Sequence, residues 1–67
     1  MLKLEVNGES FDVVPGTTVA DLVARWSGGP KGIAVARNRE VVPKSRWSST
    51  EVRPGDRVEI VTATAGG

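Results

Sequence analysis

The chain has 67 residues, room for one small domain, and a domain of this size buries only about 60% of the surface that its unfolded form exposes. Histidine, cysteine and tyrosine are absent, which excludes Cys/His metal sites, histidine-dependent nucleophiles and disulfide staples, and argues against a self-sufficient enzyme. Nine Lys+Arg against eight Asp+Glu leave a net charge of +1, so bulk electrostatics draw the chain neither to nucleic acid nor to anionic lipid.

No apolar run approaches the roughly 20 residues of a membrane helix, and the N-terminus lacks the basic-then-apolar layout of a signal peptide, so a cytoplasmic protein is expected. In chain order, Leu2, Leu4 and Val6 alternate with Lys3 and Glu5, the period of a half-buried strand. Asn7-Gly8 suits the positive φ angles of a type I′ hairpin turn, after which Phe11 and Val13 resume the alternation in a second, antiparallel strand. Pro15-Gly16 breaks that strand. Thr18 and Asp21 then form a relaxed capping box, whose hydroxyl and carboxylate satisfy free amides at a helix start.

Val19, Leu22, Val23 and Trp26 fall at i, i+3, i+4 and i+7, the apolar stripe of a helix of about ten residues. Gly28-Gly29-Pro30 ends it. Residues 33–36 read as a third strand with Ile33 and Val35 on one face and Ala34 and Ala36 on the other; Asn38-Arg39 turns into a short strand from Glu40 to Val42. A positive φ at Arg39 strains the backbone by roughly 1–2 kcal/mol compared with glycine, which leaves the turn type open. Pro43 to Ser49 read as a polar loop, Pro54-Gly55 as a type II turn, and Arg57 to Thr62 as a last strand with Val58 and Ile60 on one face. One amphipathic helix on one mixed sheet of four to five strands makes a two-layer α+β domain over residues 1–62.

The last strand runs into residues 63–67, Ala63-Thr64-Ala65-Gly66-Gly67, a tail without charge or bulk. Five extended residues reach about 17 Å, and two glycines without a Cβ thread a channel too narrow for side chains, presenting the α-carboxylate of Gly67 to another protein's active site. Chain ends tolerate almost any sequence, so a terminus without a role is the competing reading.

Taken together, Val6-Asn7-Gly8-Glu9, Thr18 to Leu22, Val41-Val42-Pro43 with Ser45 and Trp47, Gly55 to Val61 and the closing Gly66-Gly67 resemble the ThiS family of ubiquitin-like β-grasp sulfur carriers in thiamine biosynthesis. Only the diglycine is chemically specific, since the other matches are turn, cap and core residues. The resemblance implies a carrier that binds no cofactor and acts as a cosubstrate rather than a catalyst. A ThiF-like adenylating enzyme activates Gly67 with ATP, a sulfur donor protein displaces AMP to leave a thiocarboxylate, and a ThiG-like thiazole synthase receives the sulfur. Adenylation is needed because an α-carboxyl group ionises near pH 3.5 and its anion is a poor electrophile. Ala65, Gly66 and Gly67 would enter the partner active site, with no nucleic acid, metal or membrane involved.

Arg37, Arg39, Lys44 and Arg46 crowd four cations into ten residues, a docking surface for an acidic partner or RNA, or else a solvated face. Trp47 either packs or joins that surface, and Val61 with Ala34 and Ala36 would form a mildly apolar outer sheet face open to a partner. Gly28 to Gly32 is not a phosphate loop, because its glycines follow a helix and no Ser or Thr follows Lys31. Lys44-Ser45 lacks an oxyanion hole and is not read as a catalytic dyad. The alternatives are the small subunit of molybdopterin synthase or another pathway's sulfur carrier and, from other classes, a conjugating modifier that forms amides with target lysines, or a β-grasp RNA-binding or regulatory module.

Overall fold

The computed structural model describes residues 1–26 and 32–62; the glycine-rich helix stop at 28–30 and the tail at 63–67 lie outside the described residues. Strand β1 (Leu2–Val6) buries Leu4 and Val6 and pairs antiparallel with β2 (Glu9–Val13), in a register from Leu2↔Val13 to Val6↔Glu9. The turn between them has Asn7 at φ 51° and Gly8 at φ 85°, the left-handed pair that matches the twist of a tight hairpin.

The capping box forms as the residues predict: the Thr18 amide donates to Asp21 Oδ2 at 2.9 Å, and the Asp21 amide donates to Thr18 Oγ1 at 3.2 Å. Helix α1 (Val19–Trp26) runs to the last described residue before the helix stop and buries Val19, Leu22 and Val23. Trp26 is half-buried at its end and meets Phe11 of β2 edge-on, with ring centroids 4.7 Å apart. The Arg25 guanidinium carbon lies 5.4 Å from the Trp26 ring centroid.

Strands β3 (Ile33–Arg37), β4 (Glu40–Val41) and β5 (Arg57–Thr62) complete a five-stranded sheet ordered β2-β1-β5-β3-β4. Only the β1–β5 pairing is parallel, which makes the sheet mixed. Val35, Val58 and Ile60 point inward and join Leu4, Val6, Val13 and the helix stripe in one core, so one α-helix covers one face of one sheet. That is the α+β architecture expected, with five strands.

Two local expectations are corrected and one left open is settled. Residues Lys44–Ser49 form a 3-10 helix instead of an irregular loop, opened by the Arg46 amide donating to the Pro43 carbonyl at 2.8 Å. Its single apolar residue offers no periodicity to read, so only packing reveals it. Strand β4 stops at Val41, although the Val42 amide still donates to the Val35 carbonyl at 2.9 Å. Asn38 and Arg39 both have positive φ, 52° and 70°, so the hairpin takes the strained turn despite the arginine. Asn38 explains why: its amide donates to the Arg57 carbonyl at 2.7 Å and its Oδ1 accepts from the Arg57 amide at 2.9 Å, binding the turn to β5.

Candidate functional site

The tail candidates Ala65, Gly66 and Gly67 lie outside the described residues, but the strand that leads to them is fully placed. Strand β5 occupies the middle of the sheet, so the chain leaves the domain from a strand flanked on both sides. Toward β3 the register runs from Arg37↔Val58 to Ile33↔Thr62. Toward β1 it is shorter, Glu5↔Arg57 and Val6↔Val58, because β1 turns away at Asn7.

Beyond that turn the side chain of Asn7 takes over. Its Nδ2 donates to the Ile60 carbonyl at 3.1 Å, and its Oδ1 accepts from the Ile60 amide at 2.8 Å. A carboxamide has the same donor and acceptor as a peptide group, so it stands in for the missing strand residue. The turn role of Asn7 is legible in the sequence. Its grip on a residue 53 positions away is not.

A second cluster holds the start of β5. Asp56 is buried, and its Oδ2 accepts from the Arg37 Nε and from the Arg53 amide, both at 2.8 Å, while its Oδ1 accepts from Asn38 Nδ2 at 3.0 Å. Burial pushes the Asp56 carboxyl up, yet the Arg53 amide, the Asn38 amide and the Arg37 guanidinium together outweigh it and hold the group below its ordinary value. The Arg53–Asp56 turn closes with the Asp56 amide donating to the Arg53 carbonyl at 3.1 Å and Gly55 at φ 83°, the glycine position of a type II turn.

The docking candidates separate in space. Arg37 is a correction to the idea of a free basic patch: its side chain is 29% exposed and its Nε is committed to Asp56. Trp47 is 5% exposed, belongs to the core and donates its indole N–H to the Val42 carbonyl at 2.9 Å, so it offers a partner almost no surface. Arg39 is exposed at the β3–β4 hairpin tip and lines a cleft of about 290 Å³ with Glu5, Asn7, Gly8, Arg57 and Glu59. Arg46 lines a groove of about 370 Å³ together with Arg37, and the groove runs past Val42 and Pro43. Arg37 and Arg46 therefore share one groove, while Arg39 lines a separate cleft.

Val61 is 55% exposed and opposes Ala34, while Val41, 77% exposed, opposes Ala36. The buried Val35 settles the facing of β3, and Ala34 and Ala36 point outward as the alternation predicts. Among the described residues no helix is long and apolar enough to cross a membrane.

The sequence model of the ThiS family matches residues 4–67. The chain is 34% identical over 65 residues to the sulfur carrier protein ThiS of Bacillus subtilis, covering 96% of this chain and 98% of that protein. It is 38% identical over 66 residues, 98% of this chain, to a thiazole synthase of Paramagnetospirillum magneticum. The chain spans about a fifth of the length of that synthase and of a second one from Magnetococcus marinus. Among solved structures, the thiamine biosynthesis protein ThiS of Geobacter metallireducens superposes with a TM-score of 0.76 at 30% identity, covering 98% of this chain and all of that one, a likeness that extends to the ubiquitin-like β-grasp fold. The chain belongs to the ThiS family.

Proposed function

We propose that Gly67 is the reactive end of this carrier. Its α-carboxylate attacks the α-phosphorus of ATP on a ThiF-like adenylating enzyme and releases pyrophosphate. Sulfur supplied by a donor protein at the level of hydrosulfide then attacks the acyl carbon, and AMP leaves with one carboxylate oxygen. The thiocarboxylate that remains is a soft nucleophile for a ThiG-like thiazole synthase. The carrier contributes the reacting carboxylate and a surface to be held by, while the partner enzymes supply catalysis and ATP binding.

The observation that carries this reading is the family match through residue 67, which includes the diglycine that follows the central strand β5 in sequence. Two glycines at the reacting end admit the tail to a channel closed to any Cβ. The thiazole synthase relatives support the recipient, because a segment similar to this chain accounts for 20% of each of those proteins. Arg39 and Val61 are the docking candidates that remain exposed. Charge reversal at Arg39 weakens partner binding in a salt-dependent way if this residue docks.

The test is the intact mass of the chain before and after incubation with an active adenylating enzyme, ATP and sulfide, with fragmentation to place the change. A gain of about 16 Da on Gly67, one oxygen exchanged for sulfur, is expected. No gain alongside a control carrier that is converted sinks the reading, and amide adducts to lysines would turn attention to a conjugating modifier.

A further inference from the structure

Strand β5 carries whatever happens at Gly67 back to the domain, and its two edges are held very differently. Along β3 the pairing continues to Thr62. Along β1 the last backbone bond runs from the Asn7 amide to the Val58 carbonyl at 2.9 Å, after which β1 has turned away. Without a further tie, the backbone of Glu59 to Thr62 would be paired on the β3 edge alone, with the buried Ile60 side chain as its other hold. The Asn7 carboxamide supplies the tie with both of its polar groups, at 2.8 and 3.1 Å from the Ile60 backbone. Asparagine suits the position twice over: it tolerates φ 51° where most residues are strained, and its side chain has one acceptor and one donor spaced like those of a peptide group.

We propose that Asn7 is a positioning residue for the transfer reaction: by clamping the backbone of Ile60 from the β1 side, it fixes the direction in which β5 delivers the residues leading to Gly67. This rests on the reading of Gly67 as the reactive end. A swing of β5 about β3 would displace Thr62, the last described residue before the tail, relative to the docked domain, and with it the point from which Gly67 must reach. Holding the strand lets the partner bind domain and tail together without first ordering the exit direction, which lowers the KM for the carrier and leaves the chemical step alone.

The experiment compares the full chain with N7G and N7D. N7G keeps the left-handed turn and loses both bonds to Ile60; N7D keeps the acceptor and loses the donor. Amide hydrogen exchange and backbone order parameters are read for Leu22, Val35, Ile60 and Thr62, and initial rates of sulfur incorporation are measured against carrier concentration well below the melting midpoint. In N7G the Ile60 amide exchanges at least about tenfold faster while Leu22 and Val35 keep their protection. Its KM rises about fivefold with kcat within about twofold, and N7D falls between.

Faster exchange at Ile60 with unchanged KM and kcat assigns Asn7 a structural role only and overturns the proposal, as does unchanged exchange at Ile60. If N7G does not fold, N7D carries the same comparison. If the unsubstituted chain takes up no sulfur, the carrier reading falls. The positioning falls with it, whereas sulfur uptake with unchanged KM and kcat in N7G refutes the positioning alone.

Discussion

Replacing Asp56 with asparagine removes one charge and places an amide N–H₂ where the fold has only donors to offer. The carboxylate accepts three hydrogen bonds, two on Oδ2 from Arg37 and Arg53 and one on Oδ1 from Asn38. In D56N, one orientation sets the new amide against the Arg37 and Arg53 donors and the other sets it against Asn38 Nδ2. Asn38 cannot flip to compensate, because its Oδ1 accepts from the Arg57 amide. At least one donor facing the buried Asp56 side chain loses its acceptor and a charge-assisted, part-buried bond is lost, for a destabilisation of about 2–3 kcal/mol. In a domain of this size each kcal/mol lowers the melting midpoint by about 4–8 °C, so thermal unfolding at pH 7 followed by circular dichroism shows a fall of roughly 10–20 °C.

The same cluster sets a pH dependence. The folded carboxyl sits below its ordinary value of 3.8, so its contribution is fully present above that pH and fades as the pH falls through the lower folded value. The stability difference between the unsubstituted chain and D56N therefore narrows in acid. A D56N midpoint within about 2 °C of the unsubstituted chain at pH 7, or a gap that widens below pH 4, refutes the reasoning.

Three further outcomes follow from the same geometry. W47F keeps most of the buried ring and loses the bond from the indole N–H to the Val42 carbonyl, and urea unfolding followed by circular dichroism shows a loss of about 1–2 kcal/mol. R39G relieves the positive φ of the hairpin and raises stability by about 0.5–1 kcal/mol, read as a higher melting midpoint; a lower one would show that the arginine side chain holds the turn. Extending the chain by a few residues beyond Gly67 leaves the melting midpoint unchanged and abolishes the mass gain of about 16 Da, since the reacting carboxylate has become an amide.

What the amino-acid sequence determined by itself was local. The alternation of β1, the positive-φ pair Asn7-Gly8, the reciprocal bonds of Thr18 and Asp21 and the stripe Val19, Leu22 and Val23 all join residues within a few positions, so side-chain period and turn chemistry specify them without reference to the rest of the chain. The diglycine was legible for the same reason, as a pattern of missing side chains. The tertiary structure decided what joins distant residues. It set β5 between β1 and β3, buried the solitary Trp47 of a 3-10 helix, paired Arg37 of the basic cluster with Asp56, and placed the Asn7 side chain on the backbone of Ile60. Such contacts leave no period in the sequence, because a single polar side chain finds its partner only after the core has brought the two strands together.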